Sequence, residues 1–204
     1  MKDAVQEQLI VARRNQILDA AAIVFADKGF HPTTIKDIAK QAGIADGTIY
    51  IYFSNKTALL LGIFERMKAS VIQENMPAAP DEIDFRTFIH TFIQLPMLAL
   101  KRDNFALFRI IVSEMMVNEE LRELYYQQIL EPTLALAEVH FADRLAGRGL
   151  TPTDASLTLR AISGMVMGLM MQHIMGDMAL ADNWDHLPDV ITDLILTGLG
   201  DQPA

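Results

Sequence analysis

The chain has 204 residues, no cysteine, 51% hydrophobic side chains and a formal charge of −9. That length and apolar content allow one large or two modest domains with a substantial core, while disulfides and thiolate metal sites are excluded. The charge is uneven: residues 1–60 carry seven Lys/Arg against six Asp/Glu, and the remainder carries ten against twenty, so a local polyanion site within the first 60 residues stays open.

The apolar spacing is helical nearly throughout, and the expected fold class is all-α. Ile10, Ile17, Leu18, Ala21, Ala22, Val24 and Phe25 mark a long first helix that ends near Lys28-Gly29. Thr33-Thr34 supplies an N-cap for a short helix over 34–41, and Gly43 lets the chain turn into a second short helix over 46–52. Ser54-Asn55 caps the next helix, which reaches about Gln73. Met76-Pro77-Ala78-Ala79-Pro80-Asp81 is the clearest break. Further helices are expected near 83–101, 104–117, 119–147, 153–177 and 187–199, with a kink or division at Pro96 and Pro132.

Two short helices joined by a Gly-containing turn and braced by a long first helix make a helix-turn-helix. Ile38, Ala39, Ile44, Ile49 and Phe53 face a small core with Phe25 and Ile17. Asp46, Gly47, Thr48, Tyr50 and Tyr52 are left at the outer edge of the second helix, whose N-terminal end is where base contacts are usually made. The hydroxyls of Thr34 and Tyr50, with Lys56, suit phosphates, and Thr48 suits a base edge. The candidate DNA contacts are Thr33, Thr34, Lys36, Asp46, Gly47, Thr48, Tyr50, Tyr52 and Lys56.

The stretch from Arg14 to Phe64 resembles the DNA-binding domain of the TetR family of bacterial transcriptional regulators. The resemblance is carried by Gly29-Phe30, Thr33-Thr34, Ala42-Gly43, Gly47-Thr48, Tyr50-x-Tyr52-Phe53 and Asn55-Lys56-x-x-Leu59-Leu60. Two positions depart from the family pattern: Asp46 stands where a basic or polar residue is frequent, and Ala45 stands where a Ser or Thr cap is usual. Asp46 could cap its helix or accept from a cytosine amino group.

The resemblance implies an N-terminal three-helix helix-turn-helix domain (1–55) and a helical effector-binding and dimerisation domain (56–204). It implies a repressor that binds a palindromic double-stranded DNA operator as a homodimer. A small apolar or amphipathic effector would release it, and the wording "ADGTIYIYF" is similar to members that sense fatty acyl-coenzyme A. Dimerisation through the last two long helices is implied, here about 153–177 and 187–199. Ala161, Ser163, Gly164 and Gly168 would allow close helix approach, and Val190, Ile191, Leu194, Ile195 and Leu199 make an apolar stripe. The interface set is Met165, Leu169, Val190, Leu194 and Ile195, with packing inside one chain as the competing role.

Large adaptable side chains are abundant beyond residue 84, which suits an irregular apolar ligand. The ligand set is Phe88, Phe92, Phe105, Phe108, Arg109, Met115, Tyr125 and Met165, each with plain core packing as the alternative. Arg109, inside an apolar run, could meet an acidic head group or snorkel to the surface.

No Gly-rich phosphate loop, His-Glu-x-x-His or Gly-x-Ser-x-Gly motif is present, and the five histidines are scattered. No catalytic residue, metal or cofactor is therefore expected. The apolar run from Ala161 to Met175 is interrupted by Gln172 and His173 and falls short of the roughly 20 residues of a membrane span. The first eight residues lack an apolar signal core. A cytoplasmic protein with no membrane partner is expected.

Overall fold

The computed structural model describes residues 2–75, 83–101, 105–146 and 151–198. Every regular element among them is helical: α1 (Lys2–Lys28), α2 (Ile35–Ala42), α3 (Asp46–Tyr52), α4 (Lys56–Asn75), α5 (Phe85–Lys101), α6 (Ala106–Met115), α7 (Glu119–Tyr125), a π turn (Tyr126–Leu130), α8 (Glu131–Ala146), α9 (Pro152–Ile174), α10 (Met178–Asp182), a 3-10 turn (Trp184–His186) and α11 (Leu187–Gly198). The all-α expectation holds, and α10 with the 3-10 turn is an addition to the sequence reading. The turn at Met76 to Asp81 and the apolar Leu199 lie outside the described residues.

The chain divides into two compact units, one of residues 1–67 with 103–125, the other of 68–102 with 126–204. This differs from a cut after residue 55. Helix α4 starts just after that cut and runs unbroken past Met67, where the first unit ends, and Phe105, Phe108, Ile111 and Leu121 are buried in the first unit, which ties α6 and α7 to it. Helix α6 packs on α1.

In the first unit, Ile17, Leu18, Ala21 and Phe25 of α1 meet the buried Ile38 and Ala39 of α2, Ile49 of α3, and Leu59, Leu60 and Ile63 of α4. Helix boundaries follow from local chemistry. Thr34 closes a capping box with Asp37 at the start of α2: the Asp37 amide donates to Thr34 Oγ1 at 3.2 Å and the Thr34 amide donates to Asp37 Oδ2 at 2.9 Å. Gly43, left-handed at φ 67, ends α2 with its own amide on Lys40 O and that of Ile44 on Ala39 O. Asn55 caps α4 by accepting from the Ala58 amide at 2.8 Å.

In the second unit, α5 packs on α9 and α11, and α8 packs on α9. Its aromatic core is a ladder in which Phe88 stacks on Phe85 and Phe92 at 6.5 and 6.4 Å, while Phe85 and Phe88 also contact the buried Phe141. Helix α5 runs on through Pro96, so no division occurs there. At Pro132 the expected interruption takes a specific form: the chain widens into a π turn ending at Leu130, and the proline falls in the first turn of α8, where a missing N–H costs little.

Candidate nucleic-acid interface

Helix α3 is pinned from behind and open in front. Ile49 is fully buried and Phe53 ends the helix in an extended conformation, its ring under the Arg14 guanidinium at 4.5 Å. On the opposite side Tyr50 is 57% and Ile51 76% exposed, Gly47 is exposed, and Asp46, Thr48 and Tyr52 are half-buried. Ala45 gives no side-chain cap, the Thr48 amide donates to the Ala45 carbonyl at 2.9 Å, and Asp46 stands in the first turn of α3, where a negative charge suits the helix dipole.

Of the other sequence candidates, Lys36 is exposed on α2. Thr33 is a correction, because it spends its hydroxyl inside the protein, while half-buried Lys56 lays its ammonium on the α1–α2 loop. Thr33 is 1% exposed and its hydroxyl donates to Gly29 O at 2.6 Å. Lys56 Nζ donates to Phe30 O at 2.8 Å and His31 O at 3.1 Å, with its ammonium 4.8 Å from the centre of the Phe30 ring. Both residues set the α1–α2 loop rather than project from it. Thr34 Oγ1 is likewise engaged with Asp37 Oδ2 at 2.7 Å, although the residue is exposed. Lys28 bonds Asp37 from outside at 2.7 Å, and this bond, followed by those from Thr34, holds the Asp37 carboxyl well below the usual carboxylate range.

Ile51 was absent from the sequence candidates. Its signal is simple: two residues beyond the buried Ile49, a helix has turned about 200° and faces outward. An exposed isoleucine beside Tyr50 suits an apolar contact, such as a thymine methyl.

Helix α4 is fastened behind this surface. Arg66 bonds Asp19 at 2.7 Å and the Asn15 carbonyl at 3.0 Å, both on α1. Gly62 permits close approach, since a Cβ there would stand 3.0 Å from Phe53 Cε1 and 3.1 Å from Leu18 Cδ2.

The family model described as "Bacterial regulatory proteins, tetR family" matches residues 17–63, from α1 through the first turns of α4. The crystal structure of the transcriptional regulator FadR from Bacillus subtilis in complex with stearoyl-CoA superposes with a TM-score of 0.71 at 25% identity, covering 90% of this chain and 97% of that one.

Residues 17–63 carry the DNA-binding head of the TetR family.

The chain is 48% identical across 58 residues to the fatty acid metabolism regulator protein of Bacillus subtilis, 28% of this chain and 30% of that protein. The HTH-type transcriptional repressor KstR2 of Rhodococcus jostii is 44% identical across 48 residues, 24% of each chain. The chain thus spans less than a third of the length of these two relatives.

The ligand candidates do not fall in one compact unit. Phe105, Phe108, Arg109, Met115 and Tyr125 belong to the first, and Phe88, Phe92 and Met165 to the second. Phe105 and Phe108 are buried core, Phe105 in a left-handed conformation (φ 62) just before α6. Arg109 is exposed, as its snorkelling alternative anticipated. Tyr125 packs 5.6 Å from Phe64, and burial pushes its phenol up to about 12.

Among the interface candidates, Met165, Val190 and Leu194 are exposed and Leu169 and Ile195 half-buried. Ile191, named in the same apolar stripe, is buried with Thr192 and Leu196, in keeping with the competing role of packing inside the chain. On α9, Leu157, Ala161, Gly164 and Met165 are exposed on one stripe, and a Cβ on Gly164 or Gly168 would meet nothing within 4 Å. No helix among the described residues is long and apolar enough to cross a membrane, and no group of three or more potential metal ligands occurs among them.

Proposed function

We propose that this protein is a DNA-binding transcriptional repressor that acts as a homodimer and leaves a palindromic operator when a small amphipathic effector of the fatty-acyl class binds. The observation that carries this reading is the open face of α3, where Thr48, Tyr50, Ile51 and Tyr52 lie beyond a fully buried Ile49 in a head of TetR-family sequence. The effector class is supported by similarity to a regulator crystallised with stearoyl-CoA and to a fatty acid metabolism regulator. Homodimerisation is supported by the exposed apolar stripe on α9 together with Val190 and Leu194 on α11. A twofold pair would set the recognition helices about 34–36 Å apart and call for two half-sites one turn of DNA apart.

Selection of duplexes from a random library by the full chain tests the reading. Enrichment of an inverted repeat, with salt-sensitive binding reversed by stearoyl-CoA, is expected. Failure to enrich any sequence would overturn the regulator, and enrichment without reversal by acyl-CoAs of any chain length would overturn the effector class.

A further inference from the structure

Helix α1 reaches well beyond the core it braces. Burial begins at Ile17, and from Val5 to Gln16 every side chain is exposed except half-buried Arg14. A dozen helical residues with nothing packed on them are marginal in water, yet this stretch presents Val5, Leu9, Ile10 and Val11 at 47 to 65% exposure. On the side turned away from Ile17, Leu18, Ala21 and Phe25, the residues Val5, Leu9, Ala12, Gln16, Asp19 and Ile23 recur at alternating steps of four and three. That is the spacing at which one helix meets another along its length.

The later part of this stripe is a groove of about 390 Å³ against α2, lined by the small Ala12, Ala20 and Ala42 and by Gln16, Asp19 and Ile23. Its walls are held in place: Gln16 donates to the Ala42 carbonyl at 2.7 Å and accepts from Arg13 at 2.9 Å, while Arg66 bonds Asp19 at 2.7 Å. The alanines leave room for a side chain from outside, and Ile23, 55% exposed, gives it an apolar wall.

Two features decide what fits. The stripe complements itself when reversed, because the apolar side chains Val5 and Leu9 project at one end and the groove with Ile23 lies at the other. Two antiparallel copies therefore fill each other's grooves at both ends, as a twofold contact requires. Charge selects the same orientation, since Arg13 is exposed on the N-terminal half while Asp19 and Asp27 are exposed on the C-terminal half. A parallel pair would set like charges side by side, whereas an antiparallel pair centred on Gln16 sets Arg13 against Asp19. A DNA duplex would meet Asp19 and apolar side chains there.

We infer that the outer face of α1 is an interaction surface for a second copy of this chain, paired antiparallel so that Leu9 of each copy lies over the Ile23 end of the other's groove. The contact belongs to the head alone and shares no residue with the α9 and α11 stripe. It spans roughly four helical turns, too little to hold copies together in dilute solution. On the regulator reading, heads seated on neighbouring sites would meet at high effective concentration, and this contact would make their occupancy cooperative.

The chain has no cysteine, so introduced thiols report the contact directly. Leu9→Cys and Ile23→Cys, both at exposed positions, are mixed as full chains in air and separated on a non-reducing gel. In the antiparallel pair Leu9 of one copy stands about 21 Å from Leu9 of the other, beyond the roughly 7 Å that a disulfide bridges. The mixture should therefore give about fivefold or more cross-linked product than either variant alone. Arg13→Glu in both chains should bring that yield down toward the level of the single variants. Val11→Cys mixed with Ile23→Cys, exposed but off the stripe, measures chance collision. A mixture that forms no product, or yields as high in the single variants or the Val11 control, overturns the pairing. DNA takes no part in the measurement, so that outcome leaves the regulator reading intact.

Discussion

Thr33 and Thr34 are neighbours with different tasks, and the difference comes from which way each hydroxyl faces. Thr33 is buried against the Gly29 carbonyl and anchors the loop; Thr34 is exposed and caps α2. Thr33→Val should lower unfolding free energy in urea by about 1 kcal/mol through the lost hydrogen bond, and Thr34→Ala by about 1 kcal/mol through the lost cap. The capping box also gives a pH signature. Asp37 titrates in the folded head well below its ordinary value of 3.8, so its stabilising contribution is complete above that value and is withdrawn as pH falls through the lower folded-state value. Between pH 5 and pH 2 the urea midpoint should therefore fall more steeply in wild type than in Asp37→Asn. For Ile51, exposure makes stability and binding separable: Ile51→Ala should leave the urea midpoint within about 0.5 kcal/mol of wild type and weaken operator binding about tenfold in a gel shift.

At the scale of elements, the crossing of α4 over α1 and Phe53 depends on the missing side chain of Gly62. Alanine gains about 1 kcal/mol of helix propensity, yet its methyl would press on Phe53 and Leu18, both buried and unable to yield, at about 1–3 kcal/mol. Gly62→Ala should thus be destabilising on balance in urea, and weaken operator binding because Phe53 terminates α3. The helix-turn-helix itself was legible in the sequence because its determinants are local: the capping threonine, the left-handed Gly43, and the spacing of Ile38, Ala39, Ile49 and Phe53. The inward use of Lys56 and Thr33 was not legible, since each partner carbonyl lies across a turn whose shape no propensity specifies. The same holds for Glu114, which reads as the polar end of an apolar helix and finds its partner 83 residues earlier in the chain. The π turn before Pro132 was half legible: the proline announces an interruption, and only the structure says that the chain widens instead of breaking.

For the whole molecule, charge and symmetry act together. The near-neutral first 60 residues lie in a chain whose remainder carries ten basic against twenty acidic side chains, so one head brings few phosphate contacts and the rest of the molecule repels DNA. On the proposed homodimer reading, pairing two heads is what would make specific binding competitive at cellular salt. The exposed stripe proposed to pair them follows the apolar spacing of α9 and α11, whereas Ile191 is buried because α11 also has to cover α5. Leu194, 61% exposed, is the residue at which dimerisation and folding can be separated. Leu194→Asp should sediment as a monomer with an unchanged urea midpoint, because a surface charge there disturbs no core within the chain. Its residual DNA binding should show a slope of log affinity against log salt on the order of half the wild-type value, since each head releases its own counterions. A variant that stays dimeric, or a monomer that keeps the full slope, would remove α11 from the interface.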